Sequence, residues 1–281
     1  MKNFKDLKSR FLVSIISIII LILVIFFADL LFMRFIVTLV ICSLGAFGAN
    51  EFVHFAKKKQ IAIDKNLLVG AVIFEIIAFF IYSQYAELQI LPILVFFLFL
   101  IFLFFSNFNK IENSLLRIST AAFGFLYIAI PLGMVLPILY IETIEMQDGR
   151  FWIFYLIFVT KITDIGAYFG GRLFGKKKLA AKVSPKKTVF GSVTGLIFAL
   201  GGSLLFLIFA KSSVFDFNLS EAIVLGIILG VFAQFGDLTE SLIKRDSKIK
   251  DSSKIPGFGG VLDMLDSHIF NIPILFMFLV G

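Results

Sequence analysis

Apolar and polar positions follow one another along this chain in long blocks, not in the short periods of a soluble fold. Apolar runs lie near residues 11–28, 31–49, 67–83, 88–105, 119–140, 151–170, 189–210, 221–237 and 266–280. A helix needs roughly 20 residues to cross a bilayer, so the pattern predicts an all-α polytopic integral membrane protein with about nine transmembrane helices. The short junctions Ala28-Asp29 and Tyr85-Ala86-Glu87 make tight hairpins of the first two helices and of the third and fourth. The N-terminal MKNFKDLKSR and the apolar run behind it have the outline of a signal peptide. No small-residue cleavage site follows, and the stretch is read as a retained first helix. The expected organisation is one continuous membrane domain, with N-terminal helices over 1–118 and the chemistry-bearing region over 119–281.

Composition strengthens this reading. The 281 residues are 59% hydrophobic and 16% charged, more apolar than a soluble chain of this length can bury. A net charge of +7 would point to nucleic acid in a soluble protein, but here its distribution accounts for it. Of the 26 Lys and Arg residues, all except Arg34, Arg150, Lys161 and Lys211 fall in the N-terminal tail or in alternate loops on one side. The positive-inside rule then predicts a multi-pass protein of the cell (inner) membrane, with its N-terminus and large basic loops cytoplasmic and its C-terminus outside. No nucleic acid partner is expected. Cys42 is the only cysteine, which excludes an intramolecular disulfide and a cysteine metal site. His54 and His268 are too few and too isolated for a zinc site.

Two polar stretches carry the candidate chemistry. The first, Gly236 to Ser267, sets Asp237, Glu240, Asp246, Asp251, Asp263 and Asp266 among Lys244, Arg245, Lys248, Lys250 and Lys254. Asp263 and Asp266 stand three apart, so on a helix they share a face and can grip one cation. The Pro256-Gly257-Phe258-Gly259-Gly260 turn before them would let bare backbone approach a phosphate. The plainer reading is a solvated loop and an aspartate-capped helix.

The second stretch runs from Lys161 through Asp164, Tyr168 and Arg172 to Ser184-Pro185-Lys186-Lys187-Thr188. Lys161 and Asp164 are one helical turn apart, either a structural ion pair or direct ligands; both readings imply a polar cleft. Gly166, Gly170 and Gly171 allow close approach of a helix or a lipid headgroup. The Ser184–Thr188 segment reads as a proline-rigidified turn with hydroxyls and ammonium groups suited to phosphate oxygens. Glu75 is the one acid in the otherwise nearly uncharged first five helices. Asp237, Asp263 and Asp266 as metal carboxylates, with cations beside them, make up the chemistry of metal-assisted phosphoryl or nucleotidyl transfer. No GxxxxGK[ST] loop or kinase signature is present.

These residues resemble the phosphatidate cytidylyltransferase (CDP-diglyceride synthetase) family. One matching block holds Ser241, Lys244-Arg245, Lys250-Asp251, Pro256-Gly257, Gly259-Gly260, Asp263 and Asp266. The other holds Asp164-Ile-Gly-Ala-Tyr-Phe, Gly171-Arg172-Leu-Phe-Gly-Lys176 and Ser184–Thr188. The resemblance covers most of residues 160–268. It implies a polytopic enzyme that turns phosphatidic acid and CTP into CDP-diacylglycerol and pyrophosphate in phospholipid biosynthesis. It also implies Mg2+, with K+ as an optional second cation, and a homodimer. On it, Asp237, Asp263 and Asp266 serve the metal, and Lys244, Arg245 and Lys250 hold phosphates. Ser184, Lys186, Lys187 and Thr188 contact the nucleotide, with Asp164, Asp251, Gly259 and Gly260 completing the substrate surface.

Phe258 stands where this family has His, Met264 where it has Arg, and Phe190 where a Glu is common; the stretch between Asp251 and Pro256 is one residue short. A CTP-dependent lipid kinase is the nearest alternative, separable by its products. A membrane transporter using Glu75, Lys161 and Asp164 is another, but it would concentrate its polar groups at mid-bilayer. Here they gather at one membrane face and in one half of the chain.

Overall fold

The computed structural model describes residues 22–140, 148–210, 217–249, 252 and 260–280. Most of the first apolar segment, the basic residues Lys2, Lys5, Lys8 and Arg10, and the candidate residues Lys250, Asp251 and Gly259 lie outside the described residues, as does Phe258. Among the described residues, seven helices are long and apolar enough to cross a membrane. They are α1 (Leu31–Lys58), α2 (Lys65–Gln84), α3 (Leu91–Asn107, which crosses together with the turn before it from Ala86), α4 (Ser114–Leu139), α5 (Gly149–Phe174), α6 (Val189–Ala210) and α7 (Leu219–Asp246). A 3-10 turn, Ala86–Leu88, leads into α3, and two short helices follow α7: α8 (Val261–Leu265) and α9 (Asn271–Val280). This is the all-α polytopic membrane protein that the apolar blocks predict.

Polar residues just outside the apolar runs start these helices. The Asp64 carboxylate accepts the Leu67 N–H at 3.0 Å ahead of α2, and Asp148 accepts the Arg150 N–H at 2.9 Å ahead of α5. Asn218 and Glu221 close a reciprocal capping box on α7, satisfying amides that a helix start leaves free. Helix ends are less legible. α1 runs past Ala49 to Lys58, and α7 past Asp237 to Asp246, so Lys244 and Arg245 sit on a helix and not in a loop. Hydropathy marks where apolar surface stops, whereas Lys, Arg and Glu continue a helix readily in water.

Two further expectations change. The last apolar segment, 266–280, is a turn followed by a helix of ten residues, about 15 Å long against a hydrocarbon core of about 30 Å. Its first residues are polar and belong to the cavity described below. Ser184–Thr188 is a strand, not a turn: β1 (Lys178–Ala180) and β2 (Ser184–Thr188) pair antiparallel, with Lys178 opposite Thr188 and Ala180 opposite Ser184.

α4 is the most enclosed helix and packs against α1, α2, α3, α5 and α9. α5, α6 and α7 form a second group around the hairpin. Glycine on α5 brings a helix close, one of its two expected uses. A side chain at Gly170 would collide with Thr194 of α6, whose hydroxyl donates to the Gly166 carbonyl at 3.0 Å. α8 touches α1 and α7, and α9 touches α4, α5 and α7, so the C-terminal pieces join the two groups.

Candidate active site

The two polar stretches meet in a cavity of about 670 Å3 between the hairpin, α5, α7 and the α8–α9 turn. From β2 it is lined by Lys186, Lys187 and Thr188, and from the other elements by Asp164, Asp237, Asp263 and Asp266. Lys161, Asp164, Tyr168 and Arg172 of α5 all line it too, because spacings of three, four and four keep them on one helical face. The Lys161–Asp164 contact is loose, at 3.9 Å. Asp164 also accepts from the Ser267 hydroxyl at 3.4 Å, while the same hydroxyl lies 3.2 Å from Asp266.

The hairpin is anchored where it enters the site. Lys187 Nζ is 2.8 Å from Asp237 Oδ2 and 3.5 Å from the Gln234 carbonyl, one turn earlier on α7. Arg245 Nε donates to the Val183 carbonyl at 3.2 Å and so reaches the hairpin, not the cavity. Thr188 is buried, and its hydroxyl oxygen accepts the Gly191 N–H at 3.1 Å, starting α6. Ser184 is half-buried at the start of β2 and does not line the cavity.

Asp263 and Asp266 have separate environments. One Asp263 oxygen takes the Lys244 ammonium at 2.6 Å. The other accepts the Gly260 N–H at 3.0 Å, the Ser252 N–H at 3.0 Å and the Ser252 hydroxyl at 2.9 Å. Burial pushes this carboxyl up, but Lys244 and Ser252 outweigh it and hold it at about 2. Among the described residues, Asp266 has only Ser267 as hydrogen-bond donor. Burial, then the charge of Asp237, pushes it up to about 7. Lys244 is engaged twice, since the fully buried Glu240 pairs with it as well.

Among the described residues, no three His, Cys, Asp or Glu side chains are gathered to hold a metal ion by themselves. Mg2+ does not need three; in nucleotide sites it takes one or two carboxylates and fills the rest with water and phosphate oxygens. Asp237 and Asp266 fit that role: both line the cavity, the charge of one acts on the other, and a side chain on Gly236 would strike the Asp266 carbonyl. Asp263 lines the cavity too but fits less well: its oxygens take four protein donors, from Lys244, Gly260 and both the N–H and hydroxyl of Ser252, against two on Asp237, Lys187 and a longer 3.4 Å contact from Ser241.

Pattern reading missed several members of this site. Glu51, on α1, is 8% exposed and accepts the Val261 and Leu262 N–H groups, one on each oxygen, both at 2.9 Å. Gln234, Ser252 and Ser267 also went unassigned. An acid at the polar end of an apolar run was the only available signal for Glu51. Glu75 is fully buried on α2, its oxygens without a hydrogen-bond partner among the described residues, and it does not line the cavity that holds Lys161 and Asp164. Phe190 packs on Phe174 at 5.3 Å, and Met264 is exposed on α8.

Spanning helices whose ends draw carboxylates and lysines around one polar cavity define a membrane protein suited to a multiply charged anion. The chain belongs to the cytidylyltransferase family: the profile described as "Cytidylyltransferase family" matches residues 8–280. It is 41% identical over 162 residues to the phosphatidate cytidylyltransferase of Chlamydia pneumoniae, covering 56% of this chain and 53% of that protein. It is 44% identical over 133 residues to that of Haemophilus influenzae, covering 47% and 46%. With that of Staphylococcus aureus (strain COL) it shares 42% over 137 residues, covering 48% and 51%. The chain thus spans about half the length of the curated relatives it matches.

Proposed function

We propose that this chain transfers the cytidylyl group of CTP to phosphatidic acid, giving CDP-diacylglycerol and pyrophosphate. The observation that carries the reading is the single cavity in which the β2 lysines face Asp164, Asp237 and Asp266 at the ends of membrane-spanning helices. The family membership and the names of the relatives supply the nucleotide and the lipid acid.

A phosphate oxygen of the lipid attacks the α-phosphorus of CTP. The bond from that phosphorus to the bridging oxygen breaks, and pyrophosphate leaves with the electron pair. The attacking oxygen is already an anion, so no strong base is required, and positioning with charge neutralisation carries the rate. Lys186 and Lys187 hold the terminal phosphates as point charges. Lys187 exchanges Asp237 for phosphate as the nucleotide enters. Asp237 and Asp266 would hold Mg2+, which would supply positive charge to screen the polyphosphate and the leaving oxygen. Lys244 acts through Asp263 and not on the phosphates, and Arg245 holds the hairpin. On this reading the hairpin faces the cytoplasm, and the protein works as a homodimer in the inner membrane.

The test uses CTP labelled in turn at the α- and γ-phosphate, with phosphatidic acid and Mg2+ in detergent micelles. The α-label should enter lipid and the γ-label should leave as pyrophosphate. Asp266→Asn should lower the rate by about 100-fold or more. The γ-label in lipid would instead mean a kinase and end the proposal.

A further inference from the structure

We infer that Glu51 of α1 is a positioning residue for the reacting site, acting through α8. This rests on the function proposed above. A helix start leaves its first amides without partners, and α8 has all three of its leading N–H groups met by carboxylates. Asp263 takes that of Gly260, and Glu51, 210 residues away in sequence, takes those of Val261 and Leu262. The contact is built for this pairing. A side chain on Gly260 would strike Ser252 and come within 2.8 Å of Glu51 Oε2, and Gly48, one turn before Glu51, lies against Leu262.

α8 has only five residues and cannot hold its own direction; Asp266 ends it and lines the cavity with Asp237 and Asp164, sharing the Ser267 hydroxyl with Asp164. Glu51 from α1, together with Lys244 of α7 on Asp263, therefore sets where Asp266 stands. It ties a helix from the first half of the chain to chemistry that otherwise belongs to the second.

Glu51→Gln keeps the volume but puts an amide NH2 where one of the two acceptors was. Hydrogen exchange on the purified variant should lose about ten-fold protection at Val261 and Leu262, with α7 unchanged. Turnover per folded molecule should fall roughly 10- to 100-fold, while KM for CTP, set by the hairpin, moves less than about three-fold. Glu51→Asp, which keeps the charge at shorter reach, should recover part of both.

Unchanged exchange at 261–262 would refute the cap. Lost protection with wild-type turnover, or a change in KM alone, would refute positioning. If Glu51→Gln does not fold, Glu51→Asp carries the same readouts, and failure of both to fold counts against a positioning role. Should wild-type protein make no CDP-lipid, the proposed function falls, while the exchange measurement still decides whether Glu51 holds α8.

Discussion

Asp263 and Asp266 are three residues apart and electrostatically opposite. Asp263, held at about 2 by Lys244 and Ser252 against burial, lies below the usual aspartate value of about 4. It therefore stabilises the fold above pH ~4, and that contribution is lost as pH falls toward 2. Asp266, raised to about 7 by burial and by Asp237, works the other way: it costs stability as pH rises from about 4 to about 7. In chelator at pH 8, Asp263→Asn should destabilise the protein by about 2 kcal/mol, since Lys244 keeps Glu240 but loses its charged partner on α8. Asp266→Asn should raise the melting temperature by roughly 5 °C at pH 8 and leave it unchanged near pH 4. Thermal unfolding in detergent across pH reads both. If both variants lose stability equally, the division of roles between the two carboxylates is wrong. The sequence placed these acids together and identified their chemistry. It could not separate them, because the partners that do so, Lys244, Ser252 and Asp237, approach across a fold and not along a helix.

At the scale of elements, the hairpin decides how the nucleotide end of the cavity is built. Thr188 closes β2 and starts α6 with one hydroxyl, which accepts the Gly191 N–H at 3.1 Å. The adjacent Lys187 reaches Asp237 from there. Thr188→Val keeps shape and burial but removes the cap, at a cost of about 1 kcal/mol. It should also raise KM for CTP several-fold by loosening Lys187, with maximal rate less affected. Steady-state kinetics at varied CTP checks this, and an unchanged KM would assign Thr188 to folding alone. Ser184–Thr188 was recognisable as a phosphate-suited segment from its residue types. That it forms a strand depends on pairing with Lys178–Ala180, and no short-range pattern states which neighbour a strand will take.

Across the whole molecule, the basic loops come to one end. Lys59, after α1, pairs with Asp246 at the end of α7 at 2.9 Å. At the other end Arg150, starting α5, pairs with Asp29 at 2.9 Å. In a Cys42→Ala background, Lys178→Cys on the hairpin and Ser220→Cys on α7 should therefore label from opposite sides. A membrane-impermeant maleimide should reach Lys178→Cys only in inside-out vesicles and Ser220→Cys only in right-side-out ones. The reverse result would turn the protein over and take the site away from cytoplasmic CTP.

The seven described spans and the two polar stretches could be read from the sequence alone, because hydropathy is a sum over neighbours in the chain and needs no contact to be counted. The tertiary structure alone decided which of the cavity carboxylates is spent on the fold and which are left to a ligand. It also decided that Glu51 belongs to the site and that the last apolar segment breaks into a turn and a short helix. Those outcomes depend on distances between groups up to 211 residues apart, and a hydrogen bond or ion pair exists only at contact.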